Sequence, residues 1–347
     1  MNDTSQINVG GVLIGGGAPV SIQSMTNTNT ADVAATVGQI LRLEEAGCDI
    51  VRVAVPDTDA AEAISEIKQK IHIPLVADIH FDYRLAIKAA QNGVDKIRIN
   101  PGNVGSEDRV KKIADICKER GIPIRIGVNG GSVSKKILEK YGKVTAEALV
   151  ESALTHIELL EKYDFTDICI SMKATDVPMT IESYRLMRKV RNYPLHIGIT
   201  HTGTVEIGKI KSAVGIGILL YEGLGDTMRV SLAADPVEEI KTGINILKAM
   251  EIRKGGPEII ACPTCGRCKI DLIKLTDEVE KRLIGIKKDV KVAVMGCAVN
   301  GPGEAREADV GIAGGVDSGL IFCKGKIIRK VPQKDIVDEL MKQIELL

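Results

Sequence analysis

The sequence of 347 residues contains no tryptophan, three phenylalanines and six tyrosines. So few rings leave no stacking platform for bases, and no nucleic-acid partner is expected. An excess of charge of one sign is also missing. Forty-six Lys and Arg balance 46 Asp and Glu, so any anion this chain binds must be held by a local cluster. Long apolar runs are absent too: the longest, around Val214 to Tyr221, is far short of the roughly 20 residues of a membrane span, and no membrane association is expected. Met1 to Gly10 shows no basic segment followed by an apolar core, so no secretory leader is read and the expected location is cytoplasmic. In that reducing compartment the eight cysteines argue for thiol or metal chemistry rather than disulfides.

What is present is rhythm. Between Pro19 and Leu232, short β-branched runs alternate with stretches of helical period. The predicted strands are Pro19 to Met25, Asp49 to Val55, Pro74 to Ile79, Lys96 to Asn100, Pro123 to Val128, Asp167 to Lys173, Leu195 to Thr200 and Thr227 to Leu232. Helices are predicted between them, among them Asp32 to Ala46, Glu107 to Arg120, Thr145 to Lys162 and Glu206 to Glu222. A last one, Pro236 to Met250, follows the eighth strand. Strict alternation implies a parallel sheet, and eight units fit a closed TIM-type (β/α)8 barrel. Ile7 to Ile14 reads as a hairpin closing its bottom. The charged, glycine-rich residues 251–256 read as a linker between a barrel over residues 1–250 and a smaller α/β domain over residues 257–347. In that domain Glu258 to Ala261, Lys291 to Met295, Val310 to Ala313 and Leu320 to Val331 read as strands. Lys269 to Ile286 and Ile336 to Leu347 read as helices.

Parity along the barrel strands is the first functional signal. With a period of two, Lys96, Arg98 and Asn100 share one face while Ile97 and Ile99 take the other. Apolar residues must meet the helices, so the basic ones point inward. The same argument turns Arg52, Asp78 with His80, Arg125 with Asn129, Ser171 with Lys173, and Arg229 with Ser231 into the lumen. Barrel interiors are ordinarily layered with Val, Ile and Leu, so this lumen reads as an anion site. One or two of these cations, Lys96 first, are expected to pair with Asp78 or Asp176. The second signal is Cys262-Pro263-Thr264-Cys265-Gly266-Arg267-Cys268 together with Gly296-Cys297, each after a predicted strand. This is metal-site spacing, and an iron–sulfur cluster explains it best. Zinc would lack a fourth ligand in the second turn, and a simple dithiol would leave Cys297 idle. Spacing favours Cys268 over Glu304 as the fourth ligand. Cys48, Cys117, Cys169 and Cys323 read as buried fillers.

The segments Ile22-Gln23-Ser24-Met25-Thr26-Asn27-Thr28, Val51-Arg52-Val53-Ala54-Val55-Pro56, Lys96-Ile97-Arg98-Ile99-Asn100-Pro101-Gly102-Asn103, Cys262-Pro263-Thr264-Cys265 and Asn300-Gly301-Pro302-Gly303-Glu304 together resemble the bacterial 4-hydroxy-3-methylbut-2-enyl diphosphate synthase family. The resemblance runs over essentially the whole chain. It implies a TIM-type barrel joined to a 4Fe-4S domain that reductively opens and dehydrates 2-C-methyl-D-erythritol 2,4-cyclodiphosphate in the non-mevalonate isoprenoid pathway, with ferredoxin or flavodoxin as electron donor. It makes Cys262, Cys265, Cys297 and Glu304 the cluster ligands, against the spacing argument for Cys268. It further implies that Arg52, Arg98, Asn100, Arg125, Asn129, Lys173, Arg229 and Ser231 hold the cyclic diphosphate; strand parity adds His80 to that site. A homodimer with the active site shared between chains is also implied. Where the family commonly shows Thr-Glu-Ala-Gly after the seventh strand, with the Glu as acid/base, this chain reads Thr200-His201-Thr202-Gly203. His201 is therefore the candidate proton shuttle, since histidine titrates near neutrality.

Overall fold

The computed structural model describes residues 4–174, 176–200, 203–268, 270–297, 303 and 305–347. It comprises two compact units, Met1–Arg253 and Lys254–Leu347.

The first unit opens with an antiparallel hairpin, β1 (Gln6–Val9) and β2 (Val12–Gly15). Ile7, Val9 and Ile14 pack on Ile50, Val76 and Cys169, which stand at the N-terminal ends of barrel strands. The hairpin is thus an apolar plug, and Cys169 is part of its seat. The parallel strands are β3 (Ser21–Met25), β4 (Ile50–Ala54), β5 (Leu75–Asp78), β6 (Lys96–Ile99), β7 (Ile124–Asn129), β8 (Ile168–Lys173), β9 (His196–Ile197) and β10 (Thr227–Met228). Neighbours pair in the order β8-β7-β6-β5-β4-β3-β10-β9, and a parallel bridge between Ile170 and Leu195 closes the ring. The structure is therefore an eight-stranded parallel barrel, as the alternating pattern requires.

Helix starts follow their capping residues. Asp32, Asp57, Thr145 and Asp176 each accept a hydrogen bond from a backbone N–H in the first turn of the helix that follows. Two expected strands are shorter than predicted. Beyond His196–Ile197 and Thr227–Met228 the two backbones press together at Gly198, where a Cβ would lie 2.7 Å from the Arg229 carbonyl oxygen. A helix that the sequence reading did not anticipate, Lys135–Tyr141, follows β7; Ser134 caps it and Gly142, at φ +74°, ends it.

The second unit is a five-stranded mixed sheet in the order β11 (Pro257–Ala261), β12 (Val290–Met295), β13 (Val310–Gly314), β14 (Ser318–Cys323), β15 (Lys326–Pro332). The helices Leu272–Leu283 and Ile336–Leu346 pack on it. The first is shorter than the predicted Lys269 to Ile286. Asp271 caps it by accepting from the Lys274 N–H, and Gly285, at φ +88°, turns the chain away. β11, β12 and β13 run parallel, so the loops after β11 and β12 leave the same end of the sheet.

Candidate functional site

Charge occupies the inward positions of the barrel. Asp78 stands between two arginines: Arg98 Nη1 donates to its Oδ1 at 2.9 Å, and Arg52 Nε lies 3.7 Å from its Oδ2. Burial raises the pKa of this carboxyl, but Arg52 and Arg98 more than reverse the effect and hold it at about 2. A depressed carboxyl pKa stabilises the fold at neutral pH and loses that contribution as pH falls from the ordinary value near 4 through about 2. Acid titration of stability should therefore show a component of about 2 kcal/mol in that window. In Asp78→Asn the component should vanish, with a loss of about 3–5 kcal/mol at neutral pH because two buried arginines lose their counter-charge. Urea melts at graded pH measure both, and an unchanged acid limb in Asp78→Asn would remove the pairing.

Arg125, almost wholly buried, donates from Nη1 to Gln23 Oε1 at 2.7 Å. Arg229 makes a two-pronged contact with Glu239, at 3.1 and 3.2 Å, and Glu239 also accepts from Ser24 Oγ and the Leu232 N–H. The Met25 sulfur lies 3.1 Å from Arg52 Nε and 3.6 Å from Arg229 Nη1, which draws those two guanidinium groups together. Arg98 crosses the face of β7 where the sequence offers no side chain: a Cβ on Gly127 would come within 2.5 Å of Arg98 Nε.

One expectation is corrected here. Lys96 does not pair with Asp78, because Arg52 and Arg98 already occupy both carboxylate oxygens. Lys96 is fully buried, its Nζ has no hydrogen-bond partner among the described residues, and burial first, then Arg125 and Arg52, lowers its pKa to about 8. Asp176 caps the helix Val177–Val190.

Asn100 Oδ1 accepts from the Gly102 N–H, while among the described residues its buried Nδ2 lacks a partner, as do Gln23 Nε2 and Arg125 Nε. Such unanswered donors cost about 1–3 kcal/mol each, and they share this lumen with six cations, Arg52, Lys96, Arg98, Arg125, Lys173 and Arg229. Among the described residues, Asp78 and Glu239 are seen to pair with three of them, Arg52, Arg98 and Arg229. Lys173, at the C-terminal end of β8, lines a cavity of about 580 Å³ with Asn129, Gly130, Gly131, Val144, Ala174 and Thr200. Burial, then Arg52, Arg229, Arg125 and Arg98, push its ammonium pKa well below the ordinary value. On its other side Lys173 meets a small void shared with Tyr184, His196, Gly198, Thr200, Arg229 and Ser231. His80 is exposed just beyond β5. His201 lies outside the described residues.

Sequence reasoning missed Gln23, His196 and Glu239. Parity could have found the first two, because Gln23 falls between Ser21 and Met25 and His196 alternates with Gly198 and Thr200. Burial and then the charge of Arg125 hold the His196 imidazole neutral. Glu239 left no signal, since a carboxylate in the first turn of a helix is ordinarily explained by the helix dipole.

In the second unit Cys262 follows β11 directly, and Cys297 stands two residues beyond β12. The pairing of Ala261 with Val294 places both at one end of adjacent parallel strands, with Cys265 on the turn after Cys262. All three are free thiols. Cys262 Sγ accepts the Gly296 N–H at 3.1 Å, as a thiolate ligand does, and the Arg267 backbone N–H holds the exposed Cys265 thiol below its usual pKa. Cys268 behaves differently: its Sγ donates to the Ile270 carbonyl at 3.2 Å and packs against Gly296 and the core of the unit. Among the described residues no three His, Cys, Asp or Glu side chains close on a single ion. Three soft donors spread over two loops suit a metal–sulfide cluster, whose thiolates bind different irons, better than one zinc. Glu304 lies outside the described residues.

A barrel lined with cations and a second sheet that carries free thiols make up a two-unit protein with a (β/α)8 barrel. The chain belongs to the GcpE family: the model of the GcpE TIM-barrel domain matches residues 4–244 and that of the GcpE protein C-terminal domain matches residues 258–346. Similar curated proteins carry the name 4-hydroxy-3-methylbut-2-en-1-yl diphosphate synthase (flavodoxin). That of Ruminiclostridium cellulolyticum is 62% identical over 343 residues, covering 99% of this chain and 97% of its own. That of Clostridium perfringens is 63% identical over 343 residues, covering 99% and 98%. Among solved structures, dihydropteroate synthases from Stenotrophomonas maltophilia and Yersinia pestis share the barrel fold alone. Their TM-scores are 0.52 and 0.51 at 15% and 11% identity, over 72% and 71% of this chain and 98% and 97% of theirs. No described helix is long and apolar enough to cross a membrane.

Proposed function

We propose that the lumen of the barrel holds 2-C-methyl-D-erythritol 2,4-cyclodiphosphate through Arg52, Arg98, Asn100, Arg125, Asn129, Lys173, Arg229 and Ser231, with His80 at the mouth. The chain reductively opens and dehydrates this compound to 4-hydroxy-3-methylbut-2-enyl diphosphate. The observation that carries the site is the imbalance among the described residues of the lumen, where six cations and several orphaned donors stand with Asp78 and Glu239 as the carboxylates seen to pair with them. A diphosphate supplies the missing counter-charge and acceptors through charge-assisted hydrogen bonds. Asp78 and Glu239 keep Arg52, Arg98 and Arg229 aligned before substrate arrives, so little orientation is left to lose on binding.

Cys262, Cys265, Cys297 and Glu304 are the residues proposed to hold a 4Fe-4S cluster. When bound, such a cluster supplies electrons one at a time at low potential. The reaction consumes two electrons, which we assign to reduced flavodoxin or ferredoxin in the cytoplasm, and releases the lost hydroxyl as water. His201, next in sequence to Thr200, takes the role of proton shuttle. The proposed assembly is a homodimer in which the cluster unit of one chain serves the barrel of the other.

Arg98→Ala and Arg125→Ala test the anion site. Each should weaken kcat/KM by about 1.5–3 kcal/mol, one charge-assisted contact, and leave the absorption spectrum of the cluster unchanged. Wild-type kinetics in both variants would mean that Asp78 and Gln23 are the functional partners of these arginines and that the lumen binds no diphosphate.

A further inference from the structure

The inward positions of β9 and the residues that continue it are His196, Gly198 and Thr200, while Ile197 and Ile199 are buried on the helix side. The middle position of the three carries no side chain, and none fits there, because a Cβ on Gly198 would lie 2.7 Å from the Arg229 carbonyl oxygen. The space left over is a void of about 10 Å³ between these three residues and Lys173, Tyr184 and Arg229. That is the least volume that holds one water molecule, and a buried water also needs polar partners. Two of the polar side chains around the void are already committed. The Tyr184 hydroxyl donates to the His196 carbonyl at 2.6 Å and accepts from the Met172 N–H at 3.1 Å, and Arg229 is held by Glu239. Three others remain. Thr200 Oγ1 is buried and has no partner among the described residues. Lys173 brings an ammonium that Arg52, Arg229, Arg125 and Arg98 all repel. His196 is buried, and its Nδ1 meets Thr227 Oγ1 at 3.5 Å, which leaves Nε2 as the second nitrogen of the ring.

We propose that the void holds one ordered water that accepts from Lys173 Nζ and donates to His196 Nε2, which makes His196 a positioning residue for the ammonium that meets the diphosphate. The inference rests on the diphosphate reading of the lumen and adds to it a residue that does not touch the substrate. Every polar group is then satisfied. The proton of the ring sits on Nδ1 and is donated to Thr227 Oγ1, Nε2 is the acceptor, and the second hydrogen of the water goes to Thr200 Oγ1. An imidazolium would offer a donor where an acceptor is needed and a further positive charge beside Lys173; burial and Arg125 exclude it. Lys173 and Thr200 line both this void and the cavity of about 580 Å³, so the water ties the imidazole to the side chain that faces the cavity. A lysine stem is flexible, and the repulsion of four arginines favours rotamers that swing its charge out of the lumen. A water fixed by His196 supplies the acceptor that holds it in, at little cost compared with a direct hydrogen bond.

Two measurements on the full-length holoprotein, purified without oxygen, test this. His196→Leu keeps much of the bulk of the ring and removes the acceptor. Its dissociation constant for the cyclodiphosphate, read by titration calorimetry, and its KM should both rise about 10-fold, one hydrogen bond to a charged group, with kcat within about two-fold of the wild type. His196→Gln, whose side-chain carbonyl can accept in place of Nε2, should bring both constants back to within about three-fold of the wild type. Wild-type constants in His196→Leu overturn the inference. Equal losses in the two variants overturn it as well, because the ring would then act through packing alone, and so does a fall in kcat at unchanged KM. If Arg98→Ala and Arg125→Ala leave binding of the cyclodiphosphate unchanged, the diphosphate reading fails first and this inference with it, which tells the two failures apart. The second measurement needs no variant. A high-resolution crystal structure of the wild type should show one water at about 2.7–3.2 Å from both His196 Nε2 and Lys173 Nζ. No water at that place, or a Lys173 turned away from the void, overturns the inference.

Discussion

Cys297→Ser protein, purified without oxygen, is expected to lose its iron and to turn over substrate more than about 100-fold slower than the wild type, beyond the roughly 10–100-fold that follows loss of an outer-shell partner of a metal. Cys268→Ser is expected to keep both iron and activity. The contrast comes from what the sulfurs do. Cys262 accepts a backbone N–H, and Cys297 stands at the same end of the adjacent parallel strand, whereas Cys268 donates to the Ile270 carbonyl and fills the space beside Gly296. A serine hydroxyl can make the same donation to Ile270 but is a poor ligand for iron in a sulfide cluster. Iron and acid-labile sulfide per chain, read beside the rate, separate the two roles. If Cys268→Ser empties the site while Cys297→Ser retains its iron, the ferredoxin-like run Cys262, Cys265, Cys268 is the true ligand set.

Mixing two inactive chains should restore activity. Arg98→Ala disables a barrel and Cys297→Ser disables a cluster unit. If each cluster unit serves the other chain's barrel, a mixed dimer contains one intact pair. The argument is one of reach. The final barrel helix, Pro236–Ala249, carries the chain away from the C-terminal ends of the strands, where Lys173 and Asn129 line the cavity. Residues 251–256 span at most about 20 Å when extended, which makes a path back around the same barrel strained. Co-expressed chains with separate affinity tags, isolated as mixed dimers and loaded with iron and sulfide, should recover up to about half of the wild-type rate per dimer, one working site of two. Mixed dimers whose rate stays at the parental level would place the whole site within one chain.

Much of this architecture was legible in the sequence because barrels obey simple periodicities. The inward set Arg52, Lys96, Arg98, Arg125 and Arg229 followed from alternation alone, since Ile97, Ile99, Ile124 and Ile126 had to meet the helices. Chain direction and burial pattern carried that information locally. Pairings between distant elements were not legible. Glu239 reaches Arg229 from a helix, Gln23 reaches Arg125 from across the barrel, and two arginines leave Lys96 without the carboxylate expected for it. These contacts depend on which side chains arrive at the same height in the lumen, a property of strand stagger that one strand's pattern does not contain. The gathering of Cys262, Cys265 and Cys297 at one end of the second sheet was visible from their places after predicted strands. The separation of Cys268 from Cys262 required knowing which sulfur accepts and which donates.

The central claim, a cyclodiphosphate reduced by a barrel coupled to an iron–sulfur unit, is tested most directly by one anaerobic assay. Protein purified without oxygen is analysed for iron, zinc and acid-labile sulfide, then incubated with 2-C-methyl-D-erythritol 2,4-cyclodiphosphate and reduced flavodoxin. The account predicts about four irons and four sulfides per chain, and one 4-hydroxy-3-methylbut-2-enyl diphosphate formed for every two electrons consumed. Stoichiometric zinc without sulfide, or iron-loaded protein that leaves the cyclodiphosphate intact, would contradict it.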